Sequence, residues 1–212
     1  MMGNIEELIS RLAQDAATVK RVPHPFLLSI EWMAGAAFYL AVALMIFGTR
    51  HDLWLKFHDF RFAAEIAALA GIFISTSLSA ALLSFPDMHQ LRQVVFAPVI
   101  TFALFVAVMF LAWQADNPPA PLPVHSFECT RSIALLSLLP AAWMFYMMRK
   151  FASTHYHWAG SIAFLFAFSV GALWERLHEQ TDSIMHVIEW HYLPLIAFGI
   201  AGLWLGRVML KW

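Results

Sequence analysis

The chain has 212 residues, of which 61% are hydrophobic and only 13% are charged, and its formal net charge is −1. Soluble domains carry about a quarter charged residues, so this composition indicates a membrane protein. The near-neutral charge gives no support to nucleic-acid binding through a basic surface, and a single cysteine, Cys129, excludes a disulfide within the chain.

The first 25 residues predict a short amphipathic helix that ends at the sequence VPHP, residues 22–25. Its apolar residues fall on one stripe at helical spacing: Ile5, Leu8, Ile9, Leu12, Ala16 and Val19. A helix of this length is marginal alone in water, so the stripe needs a surface to cover it. Two interpretations stay open at this point. The helix lies on the membrane or the bundle, or it docks in a groove of a protein partner.

Six apolar segments follow, each close to the roughly 20 residues that a helix needs to cross a bilayer. They cover residues 26–48, 62–85, 94–113, 132–148, 158–174 and 187–206. Helices satisfy their own backbone hydrogen bonds in lipid, so the predicted fold is all-α, an integral membrane bundle of six transmembrane helices. We therefore divide the chain into a cytoplasmic helix, residues 1–25, and a membrane domain, residues 26–212. Pro140 predicts a kink in the fourth span.

The positive charges predict an orientation. With the amino terminus in the cytoplasm, more lysines and arginines fall on the inner side, and Arg149, Lys150, Arg207 and Lys211 lie close to span ends. By the positive-inside rule, we expect both termini in the cytoplasm. The turn over residues 177–191 then faces the outside, which is the periplasm in a bacterium.

Polar and small residues inside the spans predict packing contacts. The stripe STSLS, residues 75–79, and the Gly202/Gly206 pair with its GxxxG spacing are typical of helix–helix interfaces in membranes. Glu31 and Glu65 lie near span ends, so we expect both side chains to extend towards the membrane surface.

The outer turn LHEQTDSIMHVIEWH, residues 177–191, concentrates histidines and acidic groups beside the thiol of the preceding outer connection. Imidazole, carboxylate and thiolate together bind zinc and other borderline metals, and histidine titrates near neutral pH. Three interpretations are open: a solvated loop, a sensing or metal-binding surface, and a catalytic site, the last without any conventional motif. The candidate sensing or metal residues are Cys129, His178, Glu179, Asp182, His186 and His191.

Several stretches in order resemble the NrsF-type family of six-span bacterial inner-membrane anti-sigma factors. They are LISRLAQDAATVKRVPHP at the start, DFRFAAEIAALA at the entry into the second span, FECTRSIALLSLLP with its outer cysteine at the entry into the fourth, and LHEQTDS, EWH and LGRVMLKW at the end. The resemblance covers essentially the whole chain. One departure concerns the outer turn, where Glu179 stands at the position that resembles the family's second cysteine. A thiol–disulfide switch within one chain is therefore not expected.

The resemblance implies a regulator rather than an enzyme. It implies that the amino-terminal stripe binds an extracytoplasmic-function, sigma-F-like sigma factor, and that a periplasmic metal or oxidant releases it. We expect the lipid bilayer as the second partner, no nucleic acid, and no cofactor beyond a metal ion bound transiently at the periplasmic face; homo-oligomerisation stays open. The main alternative is a small transporter or channel for metal ions or protons, which predicts acids or histidines at mid-span.

Overall fold

The computed structural model describes residues 3–15, 23–85, 91–115, 127–151 and 153–211, and these contain helices and connections but no strand. In chain order the elements are α1 (Gly3–Asp15), α2 (Pro25–Phe47), α3 (Leu53–Lys56), α4 (Phe60–Leu83), α5 (Arg92–Val95), α6 (Ala97–Gln114), α7 (Phe127–Arg149), α8 (Tyr156–His178), α9 (Ile184–His186), a π-helical segment (Val187–Tyr192) and α10 (Leu193–Leu210). The predicted all-α class is confirmed.

Six helical segments in the described part of the chain are long and apolar enough to cross a membrane. They are Pro25–Phe47, Phe60–Leu83, Gln93–Gln114, Phe127–Arg149, Tyr156–His178 and Ile184–Leu210. Their number agrees with the sequence, but the fourth, fifth and sixth are clearly longer than predicted. Helix α7 contains Pro140 within its length, and the predicted kink stays a prediction. The extra turns place Cys129 on α7 and His178 on α8 instead of in loops.

Local sequence signals set where the first spans begin and end. Pro25 occupies the first turn of α2, and the ring Nδ1 of His24 accepts a hydrogen bond from the Phe26 backbone N–H at 3.4 Å. Gly48 follows α2 with φ of 84°, a conformation that favours glycine. Asp59 caps α4 by accepting a hydrogen bond from the Arg61 backbone N–H at 3.0 Å.

Because consecutive spans alternate in direction, the connections at residues 48–59 and 179–183 lie at the same end of the bundle. A hydrogen bond of 2.9 Å from the Arg50 backbone N–H to the Leu177 carbonyl joins them. We call this the distal end, and the end near α1 the proximal end.

Helix α8 forms the centre of the bundle. Every residue from Ala159 to Arg176 is buried except Phe164 and Leu165, and α4, α7 and α10 pack around it. The helices α2, α6 and α10 expose mainly apolar side chains on their outer faces, including Phe38, Ile100 and Trp204. A soluble protein rarely exposes apolar surface on this scale, whereas a membrane-spanning bundle presents it to lipid.

Small residues bring α8 and α10 into direct backbone contact, as the GxxxG spacing predicts. A Cβ atom added at Gly202 would lie 2.6 Å from the Gly160 carbonyl oxygen, and one added at Gly206 would lie 2.8 Å from the Gly160 Cα. The Ser161 hydroxyl donates to the Gly199 carbonyl at 2.9 Å. These backbones approach too closely for any side chain larger than hydrogen.

The STSLS stripe also contacts its neighbours as predicted. Ser77 Oγ donates to the Ser29 carbonyl on α2 at 3.0 Å, and Ser79 Oγ donates to the Val95 carbonyl at 2.7 Å. Ser75 Oγ and Thr101 Oγ1 of α6 lie 2.8 Å apart. These three serine hydroxyls therefore find partners on adjacent segments, whereas the Thr76 hydroxyl donates to the Ile72 carbonyl of its own helix.

The glycine contact yields a test. Replacing Gly160 with Ala should force α8 and α10 apart and lower the free energy of unfolding by about 1–3 kcal/mol. The matched control is Gly71→Ala on α4, where the nearest atom to an added Cβ is 4.0 Å away. This control should be neutral or slightly stabilising because alanine favours helix. Thermal unfolding of the detergent-solubilised protein compares the two, and equal midpoints would contradict the backbone contact.

Candidate functional site

The first candidate site is the amino-terminal helix α1. Ile5, Ile9 and Leu12 are 60%, 59% and 63% exposed, so the apolar stripe has no cover from the described residues. On another part of the helix, Arg11 Nη2 donates to Glu7 Oε1 at 2.8 Å. The side chain of Leu8 and the whole of Ala16 and Val19 lie outside the described residues. The division of the chain at residue 25 stays a prediction.

The second candidate site is the distal end, where three polar groups of residues meet. The first group is a buried ion pair between α4 and α8. Arg176 donates from Nε and Nη2 to the two carboxylate oxygens of Glu65 at 2.7 and 2.8 Å, and its Nη1 donates to the Thr181 carbonyl at 3.1 Å. The Tyr192 hydroxyl also donates to Glu65.

This pair overturns the prediction that Glu65 extends towards the membrane surface. Glu65 is 4% exposed and turns into the bundle, because a bidentate guanidinium satisfies both of its oxygens there. Glu31, by contrast, is exposed on the first turns of α2.

The second group is an ion cluster around Arg50 in the connection after α2. The buried Arg50 side chain donates to Asp52 at 2.6 and 2.9 Å and to Asp182 at 3.1 and 3.2 Å, and Lys56 Nζ lies 2.6 Å from Asp182. Hydrogen bonding to Arg50 lowers the pKa of Asp52 to about 2. Burial raises the pKa of Asp182, but hydrogen bonds from Arg50 and Lys56 outweigh burial and leave it lowered.

Asp182 is therefore not beside Cys129 as the sequence predicted. Helix α8 ends at His178, so Asp182 lies in the connection that follows it. The Asp182 carboxylate instead joins the 179–183 connection to the 48–59 connection.

The third group, the thiol–imidazole cluster, consists of Cys129, Glu175, Glu179, His186 and His191. Cys129 Sγ lies 3.6 Å from His186 Nε2. One ligand atom from each of Cys129, His186 and His191 lies within 4.8 Å of the others, and the same holds for Cys129, Glu175 and Glu179. The cluster thus joins the first turn of α7, the last turn of α8 and the start of the final span.

A cavity of about 230 Å³ opens beside this cluster, with both polar and aromatic walls. His178 lines it, but its Nδ1 is 2.9 Å from the Gly48 carbonyl and its ring stacks on Trp174. Burial raises the pKa of Glu179, but hydrogen bonds from Thr181 and Gln180 outweigh burial and lower it. Of the six predicted sensing residues, Cys129, His178, Glu179 and His186 line this cavity. His191 lies beside Cys129 and His186 in the cluster, and Asp182 lies elsewhere.

Comparison with known proteins decides the family. The sequence profile of NrsF, negative regulator of sigma F, matches residues 12–212. The chain belongs to this family. It is also 26% identical over 211 residues to the anti-sigma-F factor NrsF of Caulobacter vibrioides (strain NA1000 / CB15N), an alignment that covers 98% of this chain and 99% of the relative. No solved structure matches.

Membership of the NrsF family confirms the resemblance drawn from the motifs. It makes the chain a negative regulator of sigma F by family, and it supports a regulatory role instead of an enzymatic one. The matched range begins at Leu12, so most of α1 precedes it, while the distal cluster lies wholly within it.

Sequence reasoning missed the ion pair of this NrsF-family chain although a signal was present. A charged residue in each of two spans indicates a pair, since an isolated charge in an apolar bundle is costly. The sequence analysis instead predicts Glu65 at the membrane surface, and its fifth span ends at residue 174, two residues before Arg176. Sequence reasoning also missed that the Glu175 carboxylate is buried. It did not predict that His186 and His191, five residues apart, lie close together.

The ion pair yields a second test. Replacing Glu65 with Gln should leave the Arg176 charge buried without a counter-charge and cost about 3–5 kcal/mol of unfolding free energy. Replacing both residues, as Glu65→Leu with Arg176→Met, should recover most of this loss because neither charge remains. Thermal unfolding of the purified protein is the measurement.

The matched control is Glu31→Gln, the same change at an exposed position. It should shift the free energy of unfolding by no more than about 0.5 kcal/mol. If Glu65→Gln unfolds at the same temperature as Glu31→Gln, the ion pair does not hold α4 against α8.

Proposed function

We propose that this protein is an inner-membrane anti-sigma factor that binds an extracytoplasmic-function sigma factor through α1 and releases it when a metal or oxidant reaches the distal end. The observation that carries the proposal is the uncovered apolar stripe of α1 in a chain of the NrsF family. An amphipathic helix of this kind lays its apolar face into a groove of a partner protein.

The size of the stripe sets limits on the interaction. Fully burying a large aliphatic side chain contributes about 1.5–3 kcal/mol, so Ile5, Ile9 and Leu12 together contribute roughly 5–9 kcal/mol before the costs of association. A micromolar complex requires about 8 kcal/mol of net binding energy. Contacts from Leu8, Ala16 and Val19, the remaining members of the predicted stripe, would therefore be needed for tight retention of a sigma factor.

The proposed topology places α1 in the cytoplasm. Six spans put both termini on the same side, and the lysines and arginines near the proximal span ends favour the cytoplasm for that side. The distal cluster then faces the periplasm. A signal there would have to change sigma affinity through the bundle, and a coupling free energy of about 1–3 kcal/mol corresponds to roughly 5- to 150-fold.

Helix α8 is the structural element best suited to carry this coupling. Its last turn holds Glu175 and Arg176 in the distal groups, and its first turns contact α10 through Gly160. A movement of α8 along α10 would be felt at both ends of the bundle. Where the two backbones touch, no side chains lie between them that could rearrange and cancel the movement.

The transporter alternative gains no support from the described residues. It predicts ionisable groups at mid-span, whereas the buried ionisable residues among them all lie at the distal end: Arg50, Glu65, Glu175, Arg176, His186 and His191. A path for ions would need such groups along the length of the bundle.

The docking proposal is tested with Ile9→Asp together with Leu12→Asp. Each extracytoplasmic-function sigma factor of the source bacterium is co-expressed in turn with the full-length protein, and co-purification and sigma-dependent transcription are measured. We expect the double variant to lose the sigma factor that the wild-type protein retains, because two carboxylates would have to be desolvated in an apolar groove.

The matched control adds the same charge to the opposite face of α1, as Ser10→Asp together with Gln14→Asp; both positions are exposed. This variant should still retain the sigma factor and repress transcription. Retention by the Ile9/Leu12 variant, or equal loss in both variants, would show that the apolar stripe is not the contact.

A further inference from the structure

We propose that the thiol–imidazole cluster is a binding site for a resident divalent metal ion of the zinc class, with four protein ligands: Cys129, Glu175, His186 and His191. The ion would belong to the resting protein, and the metal or oxidant of the proposed function would act by displacing it. That it regulates sigma binding rests on the proposed function, whereas the binding site itself does not.

The geometry of the thiol and the first imidazole fits such an ion. Zinc binds thiolate sulfur at about 2.3 Å and imidazole nitrogen at about 2.0–2.1 Å, so a tetrahedral ion separates the two ligand atoms by roughly 3.5–3.6 Å. Cys129 Sγ and His186 Nε2 are 3.6 Å apart. His191 needs only a small movement, since its ligand atom lies within 4.8 Å of both.

Buried polar atoms without partners provide an independent indication of a ligand. His191 is 0% exposed, and neither of its ring nitrogens has a hydrogen-bond partner in the structure. Glu175 is 3% exposed, and its Oε2 also has none. Leaving each such group unsatisfied costs about 1–3 kcal/mol, and more for a charged one, so their concentration in one place indicates a missing binding partner.

The π-helical segment is what brings the two histidines together. In an α-helix, residues five apart point roughly 140° away from each other. A π-helix closes its hydrogen bonds between residues i and i+5, so His186 and His191 come to the same side, with ring centroids 5.1 Å apart. Thr130 of α7 donates to the Trp190 carbonyl at 2.5 Å, which fixes this widened turn against the helix that carries Cys129.

Charge balance favours a dication. A thiolate at Cys129 and a carboxylate at Glu175 would place two negative charges in a largely buried site. The charge of Arg176 is already balanced by Glu65, which its Nε and Nη2 bind, so it leaves most of this negative charge uncompensated. A divalent ion would bring the site close to neutrality and remove the cost of the buried charges.

The ligand types select the metal class. Thiolate and imidazole suit zinc and its neighbours in the transition series, whereas magnesium and calcium prefer oxygen ligands. Ligand atoms of Glu175 and Glu179 lie within 4.8 Å of Cys129, so the groups beside this single thiol are carboxylates, which can bind an ion and cannot form a disulfide. Cys129 belongs to both groups of converging ligand atoms, so an ion bound through it would tie α7 to the final span, and to α8 where Glu175 supplies the fourth ligand.

The test uses the full-length protein in detergent with Co²⁺ as the probe and Zn²⁺ as its competitor. Tetrahedral cobalt bound to a thiolate shows intense visible bands and a sulfur-to-cobalt charge-transfer band. We expect one ion per chain, displaced by Zn²⁺, with the affinity weakened by about tenfold or more in Cys129→Ser and in His191→Gln. The matched control, His178→Gln, should keep the wild-type spectrum because His178 belongs to neither set of converging ligand atoms and its ring stacks on Trp174.

A second measurement needs no variant. Cys129 is the single cysteine, so maleimide labelling reports on it alone. Zn²⁺ should slow labelling of the wild-type protein, and a chelator should restore it. If the wild-type protein shows neither a thiolate–cobalt band nor protection, the close approach of Cys129 and His186 is a thiol–imidazole hydrogen bond and the site does not exist. If the spectrum survives both ligand substitutions, the ion is bound elsewhere and the assignment is wrong.

The role of the ion in sigma retention is tested separately from metal binding. The complex of the protein and its sigma factor is treated with chelator. Release of the sigma factor on removal of the ion, reversed by Zn²⁺, supports a role in retention. Unchanged retention would overturn the regulatory role and leave the binding site standing. If the variant with Ile9→Asp and Leu12→Asp still retains the sigma factor, α1 is not the docking helix, whatever the cobalt spectrum shows.

Discussion

The bidentate pair between Glu65 and Arg176 is the interaction on which the distal half of the bundle depends. It lies where α4 begins and α8 ends, and both side chains are nearly fully buried. A buried pair of this kind adds little net stability compared with apolar packing, because both ions lose their hydration. The pair instead fixes the register between α4 and α8, because sliding one helix along the other would separate two charges in an apolar interior.

The rest of the distal end is arranged around this register. Phe62, one turn before Glu65, packs its ring between the guanidinium groups of Arg50 and Arg176, at 5.5 and 5.2 Å from the ring centroid. Arg50 in turn holds Asp182, and with it the short connection that leads into the final span. The entry of that span is thereby fixed, and its widened π-helical turn delivers Tyr192 to Glu65 and His191 to the thiol–imidazole cluster.

This arrangement gives the two ends of the molecule different characters. The distal end is polar, and its hydrogen bonds and ion pairs join residues that are far apart in the chain. The proximal end joins α8 to α10 through glycine backbones and leaves α1 with an uncovered apolar face. A regulator of the proposed kind requires this division, since the signal and the sigma factor would be met on opposite sides of a membrane. Helix α8, shared by both ends, is rigid and central enough to link them.

The sequence by itself determined the all-α class, the six spans, the amphipathic stripe of α1 and the small-residue contacts, because each depends on periodicity or local spacing along one helix. It also placed five of the six candidate sensing residues in one region, and its motifs indicated the family. It did not place Asp182 or Glu65 correctly. Only the tertiary structure decided these, because whether a charged side chain turns outward or inward depends on a partner in another span, and Arg176 and Arg50 are far away in the chain. The approach of His186 to His191 was likewise hidden, since a π-helical turn pairs residues at a spacing that α-helical periodicity assigns to different faces.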